Sequence, residues 1–317
     1  MHKKTVVLVL LLTLLCAAVG CRAKPAVPAR SGKLTVYTSF YPLYDFTRKI
    51  GGNHVNVINL VPAGASVHDW EPGPQTLASL LEADLLIVNG LGIEPWLNKL
   101  AATLEGNVPI VNTSAGVVLL YGSDDHVHNE HSGVADDEAA AAAVPDPHIW
   151  LDPANALQQA ERIAAALIDL APQYAEEFQD NLAAFRQAIA ELDLAFQETL
   201  QTAARHEFVV THLAFSYLAK RYNLTQLAIS GLTPQAEPSP AQMSELIKLM
   251  QEHNIRYIFQ EPFTSGRLAA ALAAEVGAEI LTLHPLAGLT PEEEKNGEDY
   301  FTIMRQNLAQ LAKALRD

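Results

Sequence analysis

Short apolar runs alternate with amphipathic stretches along the first half of the chain, beginning near Leu34. The runs have the length and the Val, Ile and Leu content of buried strands, and they cover residues 34–39, 55–62, 84–89 and 108–112. The stretches between them repeat apolar residues at helical spacing and cover residues 43–50, 75–82 and 96–104. This half is therefore predicted to fold as repeated β-α units.

The second half of the chain shows the same alternation. Its strand-like runs cover residues 207–211, 225–229, 256–260 and 279–283. Its helical stretches cover residues 215–222, 240–253, 267–276 and 299–315. Such a series predicts a parallel sheet with helices on both faces and right-handed crossovers. The chain is thus expected to be an α/β protein with two Rossmann-like lobes.

One long amphipathic segment lies between the two series. Its apolar residues recur at spacings of four and three, and they are Phe178, Leu182, Phe185, Ile189, Leu192 and Phe196. The spacing predicts a single helix over 172–204. Such a helix could pack on one domain only. We expect instead a rigid strut that joins a first lobe of residues 34–171 to a second lobe of residues 205–317.

The N-terminus has the layout of a secretory signal peptide. Two lysines precede an uncharged apolar run, which is shorter than the about 20 residues that a membrane-spanning helix needs. Small residues lead into Cys21, in a pattern that resembles the lipobox of bacterial lipoproteins. Residues 1–20 are expected to be removed, and residues 21–33 to form a tether with a lipidated Cys21. Ordinary secretion would instead leave Cys21 as a free thiol.

Charge favours cations as partners. The chain has 21 Lys and Arg against 36 Asp and Glu, a net charge of −15, which argues against binding nucleic acid. The segment 122–147 contains seven acidic residues and no Lys or Arg, together with His126, His128 and His131. We expect this acidic loop to bind metal ions weakly and transiently, as His-rich tracts can. The alternative is a solvated insertion whose histidines are incidental.

Four other histidines follow strands or close the acidic loop. His68 comes after the second strand, His148 ends the acidic loop, and His212 and His284 end the first and last strands of the second half. Ligands of open α/β sheets bind beyond the carboxyl ends of strands, and imidazole is the commonest metal-binding side chain. The four are therefore predicted to converge in one cleft between the lobes. Positions in a turn, before a strand and at a helix end indicate surface histidines at His54, His206 and His253, respectively.

Several long segments resemble one family. Residues 60–74, 83–96 and 259–263, and the sequence Asp-Pro-His-Ile-Trp-Leu-Asp-Pro at 146–153, are similar to the solute-binding component of zinc and manganese ABC transporters. The resemblance covers the chain from about Leu34 to its end. It implies two lobes joined by a long rigid helix, with one metal ion between them.

The resemblance also implies the ligands. His68 and His148 would come from the first lobe and His212 from the second. The fourth position in the family is generally an acidic residue or water, and here His284 stands in that place. Manganese-type relatives carry Glu at the third ligand position, where this chain has His212. Imidazoles favour Zn²⁺ over Mn²⁺, so zinc is the expected ion and manganese the alternative.

Carboxylates near these motifs are candidates to hold the imidazoles through their second ring nitrogen. They are Glu261, Asp152 and Glu71, and Glu261 ranks first because it ends a strand of the second lobe. The alternatives for each are a helix cap or a surface ion pair. Since imidazole binds metal only when it is unprotonated, affinity is expected to fall as pH drops through about 6.5.

These features predict an extracytoplasmic binding protein rather than an enzyme. The expected role is capture of Zn²⁺ by a monomer, anchored at the membrane as a periplasmic or cell-surface lipoprotein, and delivery to an ABC permease with a separate ATPase. No phosphate-binding loop motif occurs in the chain. The alternatives are a binding protein for manganese or another divalent metal, a lipid-anchored adhesin and, less favoured, a zinc hydrolase. A hydrolase would also use three His and an open position for water.

Overall fold

The computed structural model describes residues 32–122, 144–232 and 238–316. The predicted signal peptide, Cys21 and the three loop histidines, His126, His128 and His131, lie outside the described residues. No helix within the described ranges is both long enough and apolar enough to cross a lipid bilayer.

The first lobe is built on a four-stranded parallel sheet in the order β2-β1-β3-β4. Its strands are β1 (Leu34–Thr38), β2 (Val55–Asn59), β3 (Leu85–Val88) and β4 (Ile110–Asn112). The helices that connect them are α1 (Tyr41–Gly51), α2 (Pro74–Leu80) and α3 (Pro95–Leu104). Every strand and helix predicted for this part of the chain is present. β2 ends three residues early, at Asn59, although the apolar residues that follow it, Leu60 and Val61, are buried.

A two-stranded hairpin follows β4. Its antiparallel strands β5 (Tyr121–Gly122) and β6 (Val144–Pro145) flank the acidic loop, and the sequence analysis did not predict them. Strands of two residues are too short to show an alternation of apolar and polar residues.

The second lobe repeats the architecture with a parallel sheet in the order β10-β9-β7-β8. The strands are β7 (Glu207–His212), β8 (Thr225–Ser230), β9 (Tyr257–Gln260) and β10 (Glu279–Thr282). The helices of this lobe are α6 (Ser216–Arg221), α7 (Pro240–Glu252), α8 (Arg267–Val276), α9 (Pro291–Asn296) and α10 (Tyr300–Leu315). The prediction of two parallel-sheet α/β lobes is confirmed, with the short helix α9 added.

Two helices, not one, lie in the chain between the strands of the first lobe and those of the second. The predicted element is a 3₁₀ turn (Pro172–Tyr174) followed by α5 (Ala175–Leu200), and α4 (Pro153–Leu170) precedes it. The sequence analysis missed α4 because small side chains form much of its buried face, including Ala156, Ala160 and Ala164. Alanine gives a weak hydrophobic signal even where it packs closely.

The long helix α5 contacts both lobes. Near its start, Asn181 Nδ2 donates to the Ile50 carbonyl oxygen at 2.9 Å. In the middle, the Phe185 ring packs against Phe46 of the first lobe at 5.1 Å and Phe301 of the second at 5.3 Å between ring centroids. These contacts confirm the long joining helix. The residue boundaries given above for the two lobes stay a prediction.

The end of α5 is held by the second lobe. Asp193 accepts two hydrogen bonds from the Arg221 guanidinium, at 2.8 and 2.6 Å, and a third from the Tyr222 hydroxyl at 2.8 Å. The Phe196 ring stacks on Tyr222 with centroids 4.9 Å apart. Such a helix, fixed at both ends, limits how far the lobes can move against each other.

Candidate metal centre

Three of the four predicted histidines meet in one place. His212 is the last residue of β7, His148 follows the hairpin, and His68 lies in the loop between β2 and α2. One ring nitrogen from each lies within 4.8 Å of the others. His148 and His212 are almost completely buried, and His68 is partly buried. Within the described residues, this is the group of His, Cys, Asp or Glu that could hold a metal ion.

A carboxylate holds the second nitrogen of two of these rings. His148 Nδ1 lies 2.8 Å from Asp146 Oδ1, which also accepts the His148 backbone N–H at 2.9 Å. His212 Nδ1 contacts Glu261 Oε1 closely, and the Thr211 hydroxyl donates to the same oxygen at 2.8 Å. Because carboxylate oxygens only accept, these contacts place the ring hydrogens on both Nδ1 atoms. Each Nε2 is then left with a lone pair.

The two Nε2 atoms face each other. His148 Nε2 and His212 Nε2 are 3.4 Å apart. With both ring hydrogens on the Nδ1 side, neither nitrogen can donate to the other, and two buried lone pairs point into one space. A cation that accepts both lone pairs satisfies this arrangement, so the donor set fits a metal ion that prefers nitrogen ligands.

The surroundings favour the neutral form of His68 and His148. Burial, together with charge repulsion from the nearby His148 and His212 rings, lowers the pKa of His68 to about 2. Burial also lowers the pKa of His148, although Asp146 opposes that shift. Neutral imidazole is the metal-binding form, so the site stays competent to bind in mildly acidic solution.

His284 does not join the other three. Its Nδ1 accepts the Leu286 backbone N–H at 2.8 Å, and its Nε2 lies 3.3 Å from Glu293 Oε2. Both ring nitrogens therefore have partners elsewhere in the second lobe. Among the described residues, the structure brings three of the four histidines together in a group that could hold a metal ion, and the fourth ligand stays a prediction.

The three predicted carboxylates have different positions. Glu261 follows β9 and contacts His212, as its place at a strand end suggested. Asp152 caps α4 by accepting the Ala154 backbone N–H at 2.8 Å. Glu71 pairs with Lys99 on the surface.

The sequence analysis missed Asp146, which holds His148. The spacing Asp-x-His was visible at 146–148, and it allows one carboxylate oxygen to reach both the backbone and the ring of the histidine. That local spacing is the signal that could have found it.

A cavity of about 730 Å³ opens beside the three imidazoles. Its walls include Ala65 and Ser66 from the first lobe and Ser230 and Phe263 from the second. The cavity is therefore the cleft between the lobes, and it connects the imidazoles with solvent. Among the residues described along its wall, Glu261 is the only carboxylate.

Comparison with known proteins identifies similar chains. A family profile described as zinc-uptake complex component A, periplasmic (ZnuA), matches residues 36–314. The high-affinity zinc uptake system protein ZnuA of Bacillus subtilis is 35% identical over 304 residues, which is 95% of this chain and 94% of that protein.

Two streptococcal proteins are also similar. The zinc-binding lipoprotein AdcA of Streptococcus pneumoniae is 37% identical over 309 residues, and the match spans 95% of this chain but 60% of AdcA. The crystal structure of its Zn(II)-bound ZnuA-like domain superposes with a TM-score of 0.75 at 36% identity, covering 90% of this chain and 100% of that domain. The laminin-binding protein of Streptococcus agalactiae, described as bifunctional with adhesin and metal-transporting activity, gives a TM-score of 0.77 at 30% identity, covering 89% of this chain and 99% of that one.

Proposed function

We propose that this chain, which belongs to the ZnuA family of periplasmic zinc-uptake components, binds one Zn²⁺ through His68, His148 and His212 and delivers it to a membrane permease. The chain is a solute-binding protein of a zinc ABC uptake system, and zinc is its cargo. One observation supports the ligand assignment above all others. The buried Nε2 lone pairs of His148 and His212 face each other while carboxylates hold both Nδ1 atoms.

Zinc suits this donor set better than manganese. Three neutral imidazoles are typical zinc ligands, and Mn²⁺ prefers carboxylate, carbonyl and water oxygens. Three protein ligands leave one position of a tetrahedral site. We assign that position to water, because both ring nitrogens of His284 are engaged, with Leu286 and with Glu293.

Binding and release, rather than hydrolysis, is the activity we propose. A zinc hydrolase needs a general base beside the metal-bound water. The two carboxylates nearest the imidazoles, Asp146 and Glu261, each accept a hydrogen bond from an imidazole, which supports a positioning role. A membrane permease with its own ATPase would receive the ion, and a lipidated Cys21 would hold the binding protein beside it as a monomer outside the cytoplasm.

Metal content tests this function. We expect a soluble body beginning at Ala23 to carry one tightly bound zinc per chain, measured by mass spectrometry and chelator competition. Deleting residues 124–132, which include His126, His128 and His131, is expected to remove only weakly bound additional zinc. The parent chain without tight zinc, or with manganese bound in preference, contradicts the proposal.

Adhesion is a second candidate function, because the similar laminin-binding protein is described as both adhesin and metal transporter. Immobilised laminin, with the same soluble body as the probe, distinguishes the two functions. Saturable binding that a metal-free sample retains would add adhesion, and its absence leaves zinc delivery alone.

The dependence of zinc affinity on pH should be shallow. Three imidazoles with the ordinary pKa of about 6.5 would lose roughly a thousandfold in zinc affinity between pH 7.5 and 5.5. Burial holds the pKa of His68 at about 2 and lowers that of His148, so protons compete less at both. We expect a fall of about tenfold or less, measured with a chelator whose own protonation is accounted for. The fall in zinc affinity, which the sequence analysis expected near pH 6.5, is therefore expected at lower pH. A thousandfold loss of affinity between pH 7.5 and 5.5 would contradict the buried site.

The lowered pKa values of His68 and His148 also make the stability of the metal-free protein depend on pH. Below pH 6.5 the unfolded chain takes up protons at His68 and His148 that the folded chain excludes. Burial raises the pKa of Glu94 to about 7, which acts in the opposite sense over the same range, so the parent is compared with His68→Ala. The metal-free parent is expected to lose more thermal stability than His68→Ala as pH falls from 6.5, measured as Tm by calorimetry. Equal changes of Tm in the two proteins would show that His68 takes up its proton in the folded state as well.

A further inference from the structure

A tyrosine of the second lobe holds the segment that carries His148. Tyr217 lies in α6 and is 4% exposed. Its hydroxyl donates to the Asp146 carbonyl oxygen at 2.9 Å and accepts the Leu120 backbone N–H at 3.0 Å. The Asp146 backbone N–H in turn donates to the Leu120 carbonyl oxygen at 2.8 Å. The phenol thus closes a ring of three hydrogen bonds around Asp146, the residue whose carboxylate orients His148.

The other side of the same segment is also bonded to the second lobe. Trp150 Nε1 donates to the Pro285 carbonyl oxygen at 2.8 Å. The Tyr300 hydroxyl donates to the Trp150 carbonyl oxygen at 2.7 Å. From the first lobe, Asn89 Nδ2 donates to the Pro147 carbonyl oxygen at 3.0 Å. The segment around His148 is therefore bonded to the lobe that carries His212 as well as to its own.

We propose that Tyr217 is a positioning residue of the metal site, which acts through Asp146 to hold His148 against His212. This inference rests on the function proposed above. Because the phenol and His212 belong to the same lobe, the two Nε2 atoms keep their separation before the ion arrives. A pair of ligands that is already arranged loses less conformational freedom on binding, so zinc is held longer.

The chain offers a matched pair of substitutions. Tyr217→Phe removes one buried hydroxyl that serves the His148 segment. Tyr222→Phe removes a hydroxyl five residues later that donates to Asp193 on α5, away from the imidazoles. Both variants are compared at a temperature at which circular dichroism shows them folded. We expect Tyr217→Phe to release zinc about tenfold faster, measured by stopped flow with a chelator, and Tyr222→Phe to release it at the parent rate.

Two further readouts separate positioning from general loosening of the fold. The absorption spectrum of bound Co²⁺, which reports the geometry of its ligands, should change in Tyr217→Phe and not in Tyr222→Phe. In a His148→Ala background, where the side chain through which Tyr217 acts is gone, Tyr217→Phe should leave the residual zinc affinity unchanged.

Three outcomes would overturn the inference. They are equal release rates in the two tyrosine variants, an unchanged Co²⁺ spectrum in Tyr217→Phe, and an equal loss of affinity from Tyr217→Phe with and without His148. A parent chain that binds no tight zinc is a different result, because it contradicts the proposed function before Tyr217 is tested.

Discussion

Replacing His212 by alanine is expected to lower the zinc affinity by about 10²–10³-fold. Structural zinc sites with four protein ligands bind with about 10–16 kcal/mol, or roughly 2.5–4 kcal/mol per ligand. Each 1.4 kcal/mol corresponds to about a tenfold change in affinity. His212 contributes one of the two facing Nε2 atoms, and its removal also leaves Glu261 without its ring partner. Competition with a chelator of known affinity measures the loss.

Two other histidines of the second lobe provide controls. His206 lies near the start of β7 and is exposed, with Nδ1 3.1 Å from the Asn223 carbonyl oxygen. His206→Ala should therefore leave zinc affinity unchanged. His284→Ala is expected to change it by less than about threefold, because the bonds of that ring go to Leu286 and Glu293. An effect of His284→Ala as large as that of His212→Ala would restore His284 to the ligand set.

His212 and His284 are expected to differ because the order of the strands in the sheet separates them. That order cannot be deduced from the sequence pattern. Both residues come at strand ends, and the sequence analysis grouped them on that ground. In the sheet order β10-β9-β7-β8, His284 follows the edge strand β10, two strands away from His212 on β7. Strands about 4.8 Å apart place those ends roughly 10 Å from each other. Glu261 follows β9, the direct neighbour of β7, which explains why that carboxylate reaches His212.

The fold was more predictable than the site because its signal is repeated along the chain. Each β-α unit shows the change from buried strand to amphipathic helix, so a missed boundary such as the early end of β2 leaves the architecture unchanged. The helix α4 was not predicted because alanines form much of its buried face and give a weak hydrophobic signal. A side-chain contact such as that of Asp146 with the ring of His148 depends on local backbone geometry, and no periodicity reports it.

Asp146 is the partner of His148 that the sequence analysis missed, and its substitution is the second prediction with a large expected effect. Asp146→Asn is expected to lower zinc affinity about 10–100-fold, the range typical of changes to the partners of metal-bound histidines. The carboxylate fixes the hydrogen of His148 on Nδ1 through the 2.8 Å contact, which leaves Nε2 free for zinc. An amide binds that hydrogen more weakly. It would also place a buried NH₂ at the position of Oδ2, which has no hydrogen-bond partner among the described residues.

Asp152→Asn is the matched control for this prediction. Asp152 lies six residues after Asp146 and caps α4, so its amide variant can still accept the Ala154 N–H. Asp152→Asn should leave zinc affinity unchanged. Its only expected effect is a small loss of stability, measured as Tm. Equal affinities in both variants would show that the contact with Asp146 does not tune His148. Asp146→Glu is not a suitable control, because its longer side chain can reach the His148 ring from a different direction. The comparison of the two asparagine variants therefore tests whether the negative charge beside His148, rather than any polar group in this loop, makes its Nε2 a strong zinc ligand.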